Sequence, residues 1–341
     1  MQKKNRVTMQ MIADKLGITK VSVSKAINNQ PGVGSNLKKK VLATAREMGY
    51  DADAKTARLA AKRFELFIPK RFFLESDRFY TVIYYAISKL CKEQGIRLSL
   101  NVIGNSEEMM LTLPAVCFDD PPDGIFLCGE LTAEYTATVL GLNIPTICID
   151  FCHPGLPVDS IVIDNYYAAF CATNYLLTQG HQQIGFVGDI SHTHSILDRY
   201  LGYTKALHLK GLPVVEAYHV VNNDRAGRYD PQHPLPSPLP TAFLCHCDMA
   251  AYHLAMRLKA EGIPLPEQVS LLSFDNTDLC KRCVPALTTV DINKELLAKA
   301  AFDRLLKRFN HPDAPGSRFV LETSLIIRDS IRFIETPESN Q

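Results

Sequence analysis

The sequence predicts a small all-α head followed by a larger α/β body, and three observations carry this prediction. The first 63 residues hold 14 Lys or Arg and 4 Asp or Glu, a net charge of +10, and the rest of the chain carries −9. The head shows helical periodicity, whereas the body alternates short β-rich runs with helical segments. A basic head on an acidic body favours contact with a polyanion, although a solvated basic tail would show the same charge.

Length and composition place the chain among ordinary globular proteins. Its 341 residues suffice for two or three domains, and 46% apolar with 21% charged residues is a common balance. The N-terminus lacks the apolar core of a signal peptide, and no run reaches the length of a membrane span. Ten scattered cysteines without a secretory signal favour reduced thiols, so we expect a cytoplasmic protein that does not contact membranes.

The head begins with two helices joined by a tight turn. Thr8 can cap a first helix that Gly17 ends, and Thr19 can cap a second. Within that second segment, ITKVSVSKAINN (18–29), the alternation resembles a strand, but a helical wheel separates the residues better. Val23, Ala26 and Ile27 then share an inner face, and the outer face holds Lys20, Val21, Ser24, Lys25 and Asn28. A third helix is predicted from Ser35 to Met48, which completes a helix-turn-helix unit.

These segments resemble a known family of DNA-binding regulators. VTMQMIADKLGITKVSVSKAINN and VLATAREMGY are similar to the DNA-binding domain of the lactose-repressor-type (LacI/GalR) family. By this resemblance, Lys20, Val21 and Lys25 stand where the family reads base edges, which lysine amines and a valine methyl suit chemically. The resemblance also implies contacts to DNA phosphates from Thr8, Ser22, Ser24 and Asn28. Val21 could instead be an ordinary exposed valine, and Gly34 replaces a serine that is common in the family.

The segment DADAKTARLAAKR (51–63) corresponds to the family's hinge helix, which wedges leucines into the minor groove. By resemblance, Arg58 and Leu59 are the minor-groove residues. Two departures from the family pattern leave a plain helical linker as the alternative. Ala52 replaces the usual proline, and Arg58 lies next to Leu59 instead of two residues before it.

The body contains seven β-rich runs that read as buried parallel strands in a doubly wound arrangement. They are FELFIP (64–69), RLSLNVI (97–103), GIFLCG (124–129), PTICID (145–150), QIGFVG (183–188), TAFLC (241–245) and QVSLLSF (268–274). Segments such as DSIVIDNYYAA, RYLGYTKAL and EGIPLPEQVSLLSFDN resemble the effector domain of the same family, a two-lobed periplasmic-binding-protein-like fold.

The predicted organisation follows from this resemblance. A helix-turn-helix domain covers 1–50, a hinge 51–63, an effector-binding and dimerisation domain 64–335, and a tail 336–341. The first lobe comprises about 64–163 with 291–325, and the second about 164–290.

Two such lobes bind a small molecule at the carboxyl ends of their strands. The resemblance implies seven effector-binding residues: Phe79, Tyr80, Asp150, Phe151, Ser195, Arg199 and Asp275. An Arg opposite an Asp suits hydroxyl or ring-polar groups, and aromatic rings suit apolar faces. As alternatives, Arg199 could be a structural ion-pair residue, and Phe79 and Tyr80 could belong to the core.

Two departures from the family concern this cleft. Cys247-Asp248 and Ile292 stand where many sugar-binding relatives have amides, which favours a less polar ligand or none. Residues 223–240 hold five prolines where relatives usually have a helix, so we expect an extended loop. These are Pro231, Pro234, Pro236, Pro238 and Pro240.

Other chemistry finds little support in the sequence. Cys280 and Cys283 have the spacing of metal ligands, but no second such pair accompanies them. No phosphate-binding loop, nucleophile elbow or catalytic constellation is present. We therefore expect neither a metal nor a cofactor, and no enzymatic activity.

The sequence thus predicts a ligand-responsive transcription factor, in the first place a repressor. A homodimer would bind a palindromic operator, and a sugar or related metabolite between the lobes would change its affinity for DNA. The leucine-rich tetramerising tail of the lactose repressor is not apparent in the ending TPESNQ, and dimer and tetramer both remain open. Two alternatives remain: a DNA-binding protein whose cleft binds no small molecule, and a sugar- or nucleoside-processing α/β enzyme with a basic arm.

Overall fold

The computed structural model describes residues 7–27, 32–48, 62–73, 78–224 and 228–335. These residues form two compact units, the N-terminal head and a body that comprises most of the chain from Arg63 on. The predicted DNA contact Asn28 and the hinge residues Arg58 and Leu59 lie outside the described residues.

The head consists of three helices, α1 (Met9–Leu16), α2 (Lys20–Ile27) and α3 (Ser35–Glu47). Gly17 ends α1 with a left-handed φ of 63°, which costs glycine nothing. The hydroxyl of Thr19 accepts the N–H of Ser22 at 3.1 Å and so caps α2. The helical interpretation of the 18–29 stretch is therefore confirmed over α2. Its inner side joins the core of the head, which is formed by Ile12, Ala13, Val23, Ala26, Val41 and Ala45.

The body contains two six-stranded sheets, each the centre of one lobe. In the first lobe the strand order is β11-β5-β4-β3-β1-β2, and in the second lobe it is β12-β10-β9-β8-β6-β7. The first sheet contains β1 (Arg63–Pro69), β2 (Arg97–Ile103), β3 (Gly124–Cys128), β4 (Thr146–Ile149), β5 (Asp159–Ile163) and β11 (Arg318–Leu321). The second contains β6 (Ile184–Val187), β7 (His219–Val220), β8 (Ala242–Cys245), β9 (Ser270–Asp275), β10 (Thr288–Asp291) and β12 (Ser324–Ile326). All seven predicted strands are present, and the doubly wound α/β prediction is confirmed.

Helices connect the strands of each sheet. The first lobe holds α4 (Phe79–Glu93), α5 (Asn105–Met109), α6 (Val116–Asp119) and α7 (Ala133–Leu140), and the second holds α8 (Asn165–Thr178), α9 (His194–Leu209), α10 (Asp248–Ala260) and α11 (Asp278–Arg282). The last helix, α12 (Lys294–Arg308), follows a strand of the second sheet but packs on β4 and β5 of the first. Short 3₁₀ turns cover Lys70–Phe72 and Glu216–Tyr218. Among the described helices, none combines the length and apolar character that crossing a bilayer requires.

A buried charge cluster joins the late segments of the chain to the first lobe. The carboxylate of Asp159 on β5 is fully buried and accepts hydrogen bonds from both arginines of α12. Arg304 Nε lies 2.7 Å from Asp159 Oδ2, and Arg308 Nε lies 3.0 Å from the same atom. The N–H of Ser317, just before β11, donates to Asp159 Oδ1 at 2.9 Å. One carboxylate therefore holds β5, α12 and the approach to β11 together.

We expect Asp159→Asn to lower the free energy of unfolding by about 3–5 kcal/mol, because it leaves the buried guanidinium of Arg308 without its countercharge. Urea denaturation followed by circular dichroism measures the loss. The matched control is Asp303→Asn, whose carboxylate pairs with Lys299 at 2.7 Å on the exposed side of the same helix. That control should cost less than about 0.5 kcal/mol. Equal losses in the two variants would contradict the structural role of Asp159.

Candidate functional site

The outer side of α2 presents the residues that the family resemblance assigns to base contacts. Lys20 is exposed, 63% of Val21 is exposed, and Lys25 is partly exposed, while Val23 and Ala26 on the inner side are buried. The exposed methyl groups of Val21, on the same side of the helix as the two lysines, suit contact with a thymine methyl group. The geometry therefore agrees with a helix that enters the major groove.

The hydroxyls predicted at DNA phosphates already take part in helix capping. Thr8 Oγ1 accepts the N–H of Met11 at 3.3 Å, and Ser22 Oγ lies 2.9 Å from Thr19 Oγ1. Each hydroxyl has one donor and two acceptor positions, so a cap leaves capacity for a phosphate oxygen. Ser24 is half-buried on the same helix.

A cavity of about 100 Å³ lies between the two lobes of the body. Six of the seven predicted effector residues line it: Phe79, Tyr80, Asp150, Ser195, Arg199 and Asp275. Phe151 does not line the cavity. Only 4% of its surface is exposed, and its side chain lies in the core of the first lobe with Leu131 and Val158. Asp150 follows the end of β4 with a left-handed φ of 69°, and the two consecutive side chains end in different places.

Other lining residues were missing from the sequence prediction. Most of them follow the carboxyl end of a strand, as Arg71 and Phe72 do after β1, and His246 and Cys247 after β8. The rule that ligands bind at these strand ends could have found them. Tyr229 carries no such signal, because it lies within the proline-rich segment and not directly after a strand.

Asp150 is the most unusual group in the cavity. Only 9% of the residue is exposed, and one carboxylate oxygen, Oδ2, accepts the hydroxyl of Tyr80 at 2.8 Å. The other, Oδ1, is buried without a hydrogen-bond partner among the described residues. Burial raises the pKa of Asp150 to about 6, and the nearby Arg199 and the Tyr80 hydroxyl offset part of that rise. A buried acceptor of this kind suits a ligand that donates a hydrogen bond.

Arg199 faces Asp150 from the second lobe and is itself tightly held. Its Nε donates to Asn165 Oδ1 at 2.8 Å, and its guanidinium also donates to the carbonyl of His246. Nη1 lies 3.7 Å from Asp275 Oδ1, and Cζ lies 4.3 Å above the ring of Phe274. Arg199 therefore has the structural contacts that the sequence left as an alternative, and it also borders the cavity.

The proline-rich segment forms part of the cavity wall. Its described residues, 223–224 and 228–240, contain no helix, in agreement with the predicted loop. Tyr229 pairs with Asn223 in an antiparallel bridge, and both line the cavity. The Tyr229 ring stacks on His253 at 4.3 Å with an angle of 6°, and its hydroxyl lies 3.5 Å from Cys247 Sγ. The loop thus adds an aromatic ring to the lining of the cavity.

Cys247 and Ile292, which stand where many sugar-binding relatives have amides, lie in different surroundings. Cys247 lines the cavity and accepts the N–H of Ala250, which caps α10. Ile292 is fully buried and is not among the residues that line the cavity. Asp248 is committed to structure, because its carboxylate accepts hydrogen bonds from Ser273, Thr277 and Thr289.

Together these features define a class of protein: a helix-turn-helix head on a two-lobed, periplasmic-binding-protein-like body with a cavity between its lobes. A family model described as a periplasmic binding protein-like domain matches residues 173–331. The HTH-type transcriptional repressor CytR of Escherichia coli (strain K12) is 28% identical over 335 residues, 95% of this chain and 96% of that repressor. PurR of Glaesserella parasuis serovar 5 (strain SH0165), also an HTH-type transcriptional repressor, is 26% identical over 95% of this chain and 98% of its own length.

Solved structures show the same fold. The lac repressor dimer bound to operator and the anti-inducer ONPF aligns over 96% of this chain and 100% of its own, with a TM-score of 0.69 and 21% identity. The complex of the regulator CelR with cellobiose aligns over 95% of this chain and 100% of its own, with a TM-score of 0.68 and 21% identity. These similarities, which extend over 95% of this chain for CytR and PurR, agree with the resemblance to the lactose-repressor-type (LacI/GalR) family.

We expect the Asp150→Asn variant to be more stable than the unchanged protein at pH 8, by up to about 3 kcal/mol. Because the pKa of Asp150 is raised from 3.8 to about 6, the native state binds the proton more tightly than the unfolded state. The stability linked to that proton is complete below pH 4 and is lost as pH rises through 6. Asparagine has no charge to bury, so the difference should vanish near pH 4.

Thermal unfolding from pH 4 to pH 8 measures this difference, and Asp278→Asn, at an exposed carboxylate, is the control. A variant that is less stable than the unchanged protein at pH 8 would show that the buried charge of Asp150 is not costly.

Proposed function

We propose that this protein is a DNA-binding transcriptional regulator, in the first place a repressor, whose affinity for operator DNA changes when a small molecule binds between its lobes. The observation that carries the proposal is the presence of both parts in one chain. The head exposes Lys20, Val21 and Lys25 on one helix side, and the body holds a buried acceptor, Asp150 Oδ1, beside an interlobe cavity. The relatives CytR and PurR are named as transcriptional repressors, not as enzymes.

The same proposal assigns the partners. A homodimer would present two heads to a palindromic operator, because a two-fold protein matches a two-fold site. The lac repressor structure, a dimer on operator DNA, supports this assignment. The effector would be a sugar or related metabolite, since cavity oxygens and guanidinium groups suit hydroxyl-rich ligands. A regulator of this class acts where the DNA is, in the cytoplasm.

In this mechanism the effector shifts the lobes only by binding one arrangement of them more tightly than another. Asp150 and Tyr80 come from the first lobe, whereas Arg199 and Asp275 come from the second. A ligand that contacts both pairs depends on the distance between the lobes. Ligand binding is thereby coupled to the lobe arrangement.

A thermal-shift screen over sugars, sugar phosphates and nucleobases tests the proposed effector. At a hundredfold excess over its dissociation constant, a true effector stabilises the protein by about 2.7 kcal/mol. It should be recovered unchanged, alter operator affinity, and lose its effect in Asp150→Asn. Turnover of the ligand would point to an enzyme. Tight operator binding with no stabilising ligand would favour a DNA-binding protein whose cleft binds no small molecule.

We expect Lys25→Ala to weaken operator binding by about 1–3 kcal/mol and to relax the preference at one base pair, because lysine donates to guanine O6 and N7. Selection of binding sites from a random duplex pool, followed by titration, measures both effects. Lys39→Ala, at an exposed lysine of α3, is the matched control and should leave base preferences unchanged. An identical sequence preference in Lys25→Ala and the unchanged protein would rule out a base contact for Lys25.

A further inference from the structure

The carboxylate of Glu130 links the two lobes of the body directly. Glu130 follows β3 in the first lobe, and His194 is the first residue of α9 in the second. The backbone N–H of His194 donates to Glu130 Oε2 at 2.9 Å, and the imidazole Nδ1 lies 2.6 Å from Glu130 Oε1. Both carboxylate oxygens are thus bound by one residue of the opposite lobe.

The first lobe holds Glu130 in position. The guanidinium of Arg71 donates to the carbonyl of Glu130 and forms an ion pair with the buried Glu108. Glu108 Oε1 also accepts the N–H of Thr132 at 2.8 Å. The loop that carries Glu130 is therefore fixed on both sides of the residue, and its side chain is only 15% exposed.

The second lobe holds His194 in a matching way. Thr193 Oγ1 caps α9 through the N–H of Ile196 at 3.2 Å. The N–H of His194 belongs to the first turn of this 16-residue helix, where backbone donors have no acceptor within the helix. The positive end of the helix also favours a carboxylate. Glu130 of the first lobe therefore provides the hydrogen-bond acceptor that the N–H of His194 lacks within its own helix.

The contact lies beside the cavity. Arg71, Thr193 and Ser195, which flank the two partners in sequence or in space, all line the cavity. Moving the lobes apart at this edge requires both hydrogen bonds to break. Another interlobe contact, between Arg78 and Asp278, is looser, with its atoms 3.9 Å apart and both side chains more than 70% exposed.

We propose that Glu130 and His194 form a clasp that holds the lobes closed over the cavity and sets the balance between closed and open arrangements. Within the proposed function, the clasp controls how readily an effector enters and leaves. Lobe closure can be measured without effector or DNA. A result that contradicts the clasp would therefore not contradict the proposed function.

The test measures the distance between the lobes in the full-length protein. Spin labels on keto amino acids at the exposed positions Glu134 and His208 report one lobe each, and avoid the ten native cysteines. Labelled protein is diluted into excess unlabelled protein, so that pulsed electron paramagnetic resonance reads distances within one chain. In Glu130→Ala we expect a longer distance to gain weight, with the closed-to-open ratio falling roughly three- to tenfold.

Two further variants distinguish loss of the clasp from the effect of removing any contact between the lobes. His194→Ala keeps the backbone donor, so its ratio should lie between those of the unchanged protein and Glu130→Ala. Arg78→Ala, which removes the looser contact, should match the unchanged protein.

Coincident distance distributions for Glu130→Ala and the unchanged protein would overturn the proposal. So would faster hydrogen exchange at the His194 amide without any change in distance, because Glu130 would then be only a helix cap. Equal opening in Arg78→Ala would also overturn it.

Discussion

The arrangement of the body depends on the buried carboxylate of Asp159. The chain builds most of the first lobe, then the second lobe, and only afterwards returns with α12 and β11 to complete the first sheet. Arg304, Arg308 and the backbone of Ser317 meet at Asp159, more than 140 residues away in sequence. A two-lobed protein whose chain crosses between lobes needs such an anchor, since loop closure over long separations costs conformational entropy.

Within that frame, the cavity concentrates groups that do not favour stability. Asp150 buries a carboxylate with one oxygen unpaired, and both Asp150 and Asp275 have positive φ values, 69° and 102°. Non-glycine residues in such conformations store strain that the surrounding structure must offset. Strained backbone at the carboxyl ends of one strand in each sheet, together with a costly buried charge, is typical of a binding site. The hydrophobic strands beneath, which are buried along their lengths, supply the stability that permits this arrangement.

Sequence patterns predicted the regular parts of the molecule well, for physical reasons. Buried parallel strands appear as continuous apolar runs, and helix caps such as Thr19 act within a few residues. The prediction was poorer where geometry depends on tertiary contacts. The two-residue strand β7 has no pattern to detect, and the burial of Phe151 depends on the backbone turn at Asp150. Tyr229 reaches the cavity only because its loop folds back on the second lobe. Pairs such as Glu130 and His194 are invisible in sequence, since neither residue type nor spacing indicates a partner 64 positions away.

The chemistry of the cavity wall explains why family position alone does not define the effector. Part of the cavity lining is polar, with the carboxylate of Asp150 from the first lobe and the guanidinium of Arg199 from the second. The lining of the second lobe also includes a thiol at Cys247 and the ring of Tyr229, which stacks on His253. The carboxylate of the neighbouring Asp248 is already bound by hydroxyl and backbone donors. A ligand that matches this lining needs a hydrogen-bond donor for Asp150 and an apolar face for the ring of Tyr229. Cys247 stands where many sugar-binding relatives have an amide, so the cavity has one polar group fewer at this position. The requirement that the ligand donate a hydrogen bond to Asp150 is unaffected by this difference.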